Sequence, residues 1–130
     1  MIGRRKAASE EAQEKHAADV AMAEQFSTLF EIAQSAEKEL RDAQAARASD
    51  PELRRAAKRL DIALTDVMRA AFAAERVAIG PHGYDDRIYR RKMLATPKVR
   101  MWSMEAQRLL TLRESHRLTG LVRLPHTPAA

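Results

Sequence analysis

The stretch ASDPEL, residues 48–53, decides the fold because it ends one long helical segment and begins another. Ser49 and Glu52 have the spacing of a capping box, in which the two side chains accept hydrogen bonds from backbone N–H groups at a helix start. Asp50 offers a second possible N-cap, and Pro51 is tolerated in the first turn of a helix. The sequence therefore predicts a tight turn between two helices at this point.

The segments before and after this turn carry apolar seams of the same kind. The preceding helix is expected over about residues 9–47 and the following helix over about residues 51–79. In both, apolar residues recur at alternating spacings of three and four, which is typical of a coiled-coil seam. We therefore predict an all-α fold built on a long antiparallel, coiled-coil-like helical hairpin. The seam positions are Met22, Phe26, Leu29, Ala33, Ala36, Leu40 and Ala43 in the first helix, and Leu53, Ala57, Leu60, Leu64, Val67, Ala71, Ala74 and Ala78 in the second.

The lengths of the two helices set how far they overlap. At the rise of an α-helix the second one is about 42 Å long, so it covers the first only to about Ala18 or Val20. The residues before that point are polar nearly all round, and we expect them to overhang or fray. Facing residues in this hairpin have numbers that sum to about 97. This register places Phe26 and Phe30 near Phe72, at the open end of the hairpin.

A third long helix is predicted to pack at that open end. Thr96 is a suitable N-cap with Pro97 at the first helical position, and the helix is expected to run to about Leu118, before a stop at Gly120. One face of this helix is apolar and continues into arginines. Its apolar residues are Val99, Trp102, Ala106, Leu109 and Leu110.

The third helix is also apolar on a second side, at Met101 and Leu112. A helix with more than one apolar side is usually buried by more than one partner. We therefore expect it to pack on its own hairpin, with Trp102 near the phenylalanines, and to contact a second chain as well. The residues predicted for subunit or domain packing are Phe26, Phe30, Phe72, Trp102, Leu109 and Leu112.

The connection between the hairpin and the third helix, residues 80–97, contains polar residues that could form a site. His82, Asp85 and Asp86 could hold a divalent ion, but three nearby polar residues without further ligands make a weak metal motif. We interpret the segment as a corner in which Asp85 or Asp86 caps a short helix. The chain also lacks catalytic motifs, with no cysteine and only four glycines. We therefore predict no enzyme activity, cofactor, metal or small-molecule substrate.

Positive charge is concentrated toward the C-terminus. The formal net charge is +5, but residues 9–48 carry nine acids against four bases, whereas residues 80–130 carry ten bases against four acids. On the short helix, three arginines share one face, while Ile88 and Tyr89 share the opposite face, which is expected to pack. We predict contact with an anionic partner, either phosphate or the carboxylates of another copy. The candidate residues are Arg87, Arg90, Arg91, Arg113, Arg117 and Arg123.

Four parts are expected along the chain: a basic N-terminal arm over residues 1–8, the hairpin over 9–79, a basic helical module over 80–120 and an extended tail over 121–130. No stretch is apolar enough for a membrane span, and polar residues follow the basic start where a signal peptide needs an apolar region. We therefore expect a cytoplasmic protein, or one incorporated in a particle assembled inside the cell.

Two functional hypotheses follow from this organisation. The first is a structural protein of a virion, mobile-element or secretion-type assembly, forming homo-oligomers or larger complexes through its hairpin and third helix. The alternative is an oligomeric accessory protein that binds nucleic acid through the arginine-rich module. A helical hairpin with a basic appendage is similar in arrangement to phage DNA-packaging subunits, an analogy of architecture alone. The second apolar side of the third helix favours assembly, because phosphate binding does not require it.

Overall fold

The computed structural model describes residues 7–120 and Leu124, and these residues form only helices and the turns between them. The all-α prediction is confirmed. A 3-10 turn, Pro81–Tyr84, separates the third α-helix from the fourth. The five α-helices are α1 (Glu10–Ala23), α2 (Phe26–Ala45), α3 (Asp50–Ile79), α4 (Arg87–Met93) and α5 (Pro97–Thr119).

The longest helix, α3, is the central element, and α1, α2 and α5 all pack along it. The pairing of α2 with α3 is antiparallel. An ion pair between Arg59 and Glu39 joins residues whose numbers sum to 98. On α1, which continues the same direction, Asp19 pairs with Arg76 of α3, and these numbers sum to 95. Both values agree with the register predicted from the helix lengths.

The last helix, α5, also runs antiparallel to α3. Arg113 bonds to Thr65 and Arg117 bonds to Asp61, and the numbers of each pair sum to 178. The side of α3 that receives α5 lies next to the side that receives α2. The core therefore forms where α2, α3 and α5 meet.

Alanines of α3 and larger residues of the neighbouring helices build this core. Small side chains at a helix contact allow the helix axes to approach closely. Among the residues predicted for packing, Phe26, Phe30 and Leu109 are buried, while Phe72, Trp102 and Leu112 are partly buried against the same cluster. The ring of Trp102 meets that of Phe26 edge to face at 5.0 Å between centroids. The predicted docking of α5 at the phenylalanines is thus present.

The helix caps follow the sequence signals closely. Ser49 caps α3, accepting a hydrogen bond from the Glu52 N–H, and Pro51 lies in the first turn. Thr96 holds the N-cap position of α5, but its hydroxyl makes no capping bond and instead donates to the Met93 carbonyl at 2.7 Å. Gly120 ends that helix in the left-handed conformation with φ of 71°. These positions depend on local backbone chemistry, which is why short-range patterns locate them.

The prediction of one helix over residues 9–47 is wrong. The chain makes a turn at Glu24 and Gln25, and the Gln25 N–H donates to the Met22 carbonyl, three residues back instead of four. No proline or glycine marks this break. The break lets α1 pack along the C-terminal end of α3 and against the 3-10 turn. The residues expected to overhang are therefore packed, and Ala12 is buried. Hydrogen bonds from Ser9 to Asp85 and from Arg76 to Asp19 hold α1 in this position.

None of the helices in the described ranges is both long and apolar enough to cross a membrane. Residues 1–6 of the predicted N-terminal arm lie outside the described residues. So does the predicted extended tail apart from Leu124, which is partly buried against the core.

Candidate functional site

The short helix α4 displays the basic face predicted from the sequence. Arg87, Arg90, Arg91 and Lys92 are exposed, and none of the four side chains bonds to another residue within the described part of the chain. Asp86 caps the helix by accepting from two backbone N–H groups at 3.0 Å. Four cations on seven residues therefore face solvent together.

The apolar side of α4 is only partly used. The ring of Tyr89 meets that of His82 at 5.6 Å, which holds α4 on the 3-10 turn. Ile88 was predicted to pack with Tyr89, yet it is 72% exposed. The reason is that the 3-10 turn is short and covers only one side of α4. An isoleucine therefore lies uncovered on a strongly basic helix.

The other predicted anion contacts do not join α4. Arg113 Nε donates to Thr65 Oγ1 at 2.9 Å. Arg117 donates to both Asp61 oxygens, at 2.8 Å and 3.3 Å. These arginines belong to the α3–α5 contact, and Arg113 lies about 24 Å along α5 from its start. Arg123 lies outside the described residues. Among the described residues, the predicted patch is therefore reduced to the bases of α4.

The ion pair between Arg117 and Asp61 stabilises the charged form of both groups. The hydrogen bond from Arg117 holds the pKa of the Asp61 carboxyl below its usual value, against the opposing effect of burial. The same hydrogen bond raises the pKa of Arg117. Arg117 lies on the face of α5 that packs on the core, where an apolar residue would be expected. A charged residue is tolerated at this position because Asp61 on α3 pairs with it.

A polar cluster at the corner, which we name the clasp, joins α1 to α3 and the 3-10 turn. It consists of Ser9, Asp19, Arg76, Tyr84 and Asp85. The Asp19 carboxylate receives hydrogen bonds from Arg76 Nε at 2.8 Å and from the Tyr84 hydroxyl. Burial by itself raises the pKa of Asp19, but the bonds from Arg76 and Tyr84 outweigh it and hold the pKa below the usual value. Burial and the bond to Asp19 raise the pKa of Tyr84.

The second half of the clasp links the start of α1 to the corner. The Ser9 N–H donates to Asp85 at 2.8 Å and the Ser9 hydroxyl donates to the other oxygen at 2.9 Å. These two bonds, the backbone one first, lower the pKa of Asp85. Ser9 also caps α1 by accepting from the Ala12 N–H at 3.0 Å. Asp85 and Asp86 thus serve as structural caps and links, and the described ranges contain no group of three or more His, Asp or Glu residues suited to a metal.

Sequence patterns missed the clasp completely. Asp19 lies in a polar segment, and its partners Arg76 and Tyr84 are more than fifty residues away in the chain. The buried polar residues of α5 were missed as well. Glu105 is buried and bonds to Arg108, and His116 bonds to the Ala57 carbonyl at 2.9 Å. No periodic signal distinguishes such residues from exposed ones.

An open groove lies between α2 and α3 on the side away from α5. The α3 residues that line it are roughly opposite, on the helical wheel, to those that receive α5. Ile32 from α2 and Ile62 from α3 form its walls and are 50% and 51% exposed. The groove has a volume of about 490 Å³. The remaining lining residues are Thr28, Glu31, Ser35, Ala36, Glu39, Arg59, Ala63 and Asp66.

The rim of this groove is acidic. Glu31, Glu39 and Asp66 surround the isoleucines, and the one base of the lining, Arg59, is paired with Glu39 at 3.2 Å. Asp66 also lines a second hollow that continues toward the break between α1 and α2. An apolar strip with carboxylates along its edges therefore follows the exposed side of the helix pair.

No protein-family model, curated protein or solved structure matches this chain. Two surfaces of the described residues combine an exposed isoleucine with a concentration of like charges. These are the basic helix α4 with Ile88 and the acidic-rimmed groove between α2 and α3.

Proposed function

We propose that this protein is a non-enzymatic structural component of a larger assembly, in which copies of the chain contact one another through these two surfaces. The observation that carries the proposal is the groove between α2 and α3. Its two isoleucines are half exposed, whereas α5 packs on the opposite side of the same helix pair and contributes Leu109 to the buried core. A hairpin that is covered on one side only is suited to receive a second protein element on the other.

The distribution of charge supports contact between copies. The first two helices belong to a segment with an excess of carboxylates, and α4 carries four exposed cations within seven residues. Unlike charges on separate surfaces of one chain attract copies of that chain to each other. Self-association of this kind would serve a virion, a mobile-element particle or a secretion-type apparatus, each assembled inside the cell.

The test is a mass measurement by light scattering at about 50 mM and about 500 mM salt, over about a hundredfold range of protein concentration. We expect oligomers whose mean mass rises with concentration and falls with salt, because opposite charges at the surface are screened by salt. A single monomeric species under all conditions would contradict the proposal.

A second candidate function is nucleic-acid binding by α4. Its specific support is that Arg87, Arg90, Arg91 and Lys92 are exposed, with no bonded partner among the residues described. Guanidinium groups form bidentate hydrogen bonds with phosphate. The same light-scattering measurement with a generic DNA duplex tests it, since affinity for phosphate should fall steeply with salt. We rank it second because Arg113 and Arg117 are used inside the fold.

A further inference from the structure

We propose that the groove between α2 and α3 receives helix α4 of a second copy of the same chain. This inference rests on the proposed assembly function and names the contact that would build the assembly. It is argued from the chemistry, the size and the position of the two surfaces.

The chemistry of the two surfaces is complementary. The groove presents Ile32 and Ile62 between carboxylates, and on the helical wheel Ile88 of α4 lies between Arg91 and Lys92. Docking would place the exposed isoleucine of α4 against the two isoleucines of the groove. It would also bring Arg91 and Lys92 to the acidic rim. Both the apolar contact and the charge pairing therefore favour the same arrangement.

The sizes of the two surfaces also agree. Helix α4 has seven residues, and at the helical rise it is about 10 Å long. The α3 wall of the groove extends from Arg59 to Asp66 and has about the same length. The α2 wall, from Thr28 to Glu39, is longer by about one turn. A short helix therefore fits within the groove.

The contact has to form between chains. Helix α4 follows the end of α3 and is held there by the 3-10 turn. The middle of the groove lies about 25 Å back along α3 from that end. A chain thus carries its groove and its basic helix at separate places, so α4 cannot reach the groove of its own chain. Each chain offers one donor surface and one acceptor surface.

This arrangement makes the contact heterologous. A heterologous contact repeats from one copy to the next and gives a ring if the rotation closes or a filament if it does not. A seven-residue helix covers much less than the area of a standard protein interface, so a single contact is weak. Stable assemblies should therefore form only at high concentration or when a ring closes.

Two sets of substitutions test the contact. The first reverses the helix charge with Arg87→Glu, Arg91→Glu and Lys92→Glu, and a milder form uses Gln at the same positions to preserve the helix. The second removes the apolar walls with Ile32→Gln and Ile62→Gln. The two isoleucines are at least half exposed, and the three substituted bases of α4 are exposed as well. We therefore expect circular dichroism and urea unfolding to show the native fold in every variant.

Matched controls come from surfaces outside the contact. Lys15→Glu, Arg47→Glu and Arg54→Glu reverse three exposed bases that do not lie on the groove face, and Met104→Gln replaces an exposed apolar residue of α5. We expect the reversal on α4 to weaken self-association by about 100-fold and the groove variant to weaken it by about tenfold. The glutamine form of α4 should have an intermediate effect, and the controls should assemble like the native protein.

The decisive experiment mixes the two defective variants. The α4 reversal keeps an intact groove, and the groove variant keeps an intact α4. Mixed in equal amounts, they can form one productive contact and no more, so we expect complexes of two chains that do not grow. Because the mixed pair cannot close a ring, it is measured at protein concentrations well above those at which the native protein assembles. A mixture that stays monomeric even there would overturn the inference.

The remaining outcomes separate this inference from the proposed function. If the native protein is monomeric throughout, both are overturned. If it assembles and neither variant changes the mass distribution, only the α4–groove contact is overturned. If the α4 reversal abolishes binding to a DNA duplex but leaves assembly intact, α4 binds phosphate and the contact is likewise overturned.

Discussion

Arg76 on α3 binds both carboxylate oxygens of Asp19 on α1, with Nε to Oδ2 at 2.8 Å and Nη2 to Oδ1 at 3.0 Å. This pair fixes a helix whose sequence offers few apolar residues for burial. We predict that Arg76→Gln lowers the free energy of unfolding by about 1–2 kcal/mol, because Asp19 is left partly buried without its cation. The effect is modest because the Arg76 side chain is 39% exposed. Urea denaturation followed by circular dichroism measures it.

Arg59→Gln is the matched control for this change. It breaks an ion pair of similar length, with Glu39 at 3.2 Å, but both side chains are more than half exposed. We expect Arg59→Gln to lower the free energy of unfolding by less than about 0.5 kcal/mol. Equal losses in the two variants would show that the clasp adds nothing beyond an exposed ion pair.

Acid should weaken the fold through three carboxyls, Asp19, Asp61 and Asp85. Each has a pKa below its ordinary value of 3.8 in the folded state. The folded state therefore binds fewer protons than the unfolded state, so their contribution is fully present above about pH 5 and is lost as the pH falls through the lowered values. Urea midpoints at pH 7, 4 and 2.5 test this.

The variant that checks the acid prediction is Asp19→Asn. Its loss of stability between neutral pH and acid should be smaller than that of the native protein, because one of the three carboxyls no longer titrates. Glu31→Gln changes an exposed carboxylate without a bonded partner in the described residues, and its pH profile should match the native one. Identical profiles for Asp19→Asn and the native protein would contradict the prediction.

Trp102 should report the docking of α5, since it is the one tryptophan of the chain. Its ring packs edge to face against the buried Phe26. We predict that Trp102→Ala lowers the free energy of unfolding by about 3 kcal/mol through lost packing. Met104→Ala, on the exposed side of the same helix, should change it by less than about 0.5 kcal/mol. In the native protein, fluorescence emission should shift to longer wavelength when urea separates α5 from α2.

The corner after α3 depends on Gly80. Its φ of 98° and ψ of 172° belong to a region that is essentially restricted to glycine. We predict that Gly80→Ala costs about 2 kcal/mol in the free energy of unfolding. Gly120→Ala, in the ordinary left-handed conformation at the end of α5, should cost about 1 kcal/mol. The comparison is made by thermal or urea unfolding, and a smaller cost at Gly80 would show that the corner relaxes.

The local predictions held where the determining chemistry is local. Ser49 caps α3, because capping depends on a few neighbouring residues. Thr96 occupies the N-cap position of α5 with Pro97 at the first helical position, although the Thr96 hydroxyl bonds to the Met93 carbonyl. The register of α2 on α3 also followed from helix lengths around a tight turn. The break at Glu24 and Gln25 was not predictable in this way, since no residue there opposes a helix.

The candidate site was predictable only in part. The exposed bases of α4 followed from their spacing, but the exposure of Ile88 did not, because it depends on how little the 3-10 turn covers. Arg113 and Arg117 were predicted to join the basic face. In the structure they bind Thr65 and Asp61, since antiparallel packing of α5 brings those residues opposite. The charge of a side chain is thus visible in the sequence, but its partner is not.

By itself, the sequence determined that this chain is helical, where α3 and α5 begin, and where its charges lie, because periodicity and capping act within a few residues. Tertiary structure alone decided which charges are neutralised inside the molecule and which surfaces remain uncovered. The physical reason is that Asp19 meets Arg76, and α5 covers one side of α2 and α3, only after residues distant in the chain have come together. The open groove and the basic helix are therefore features of packing.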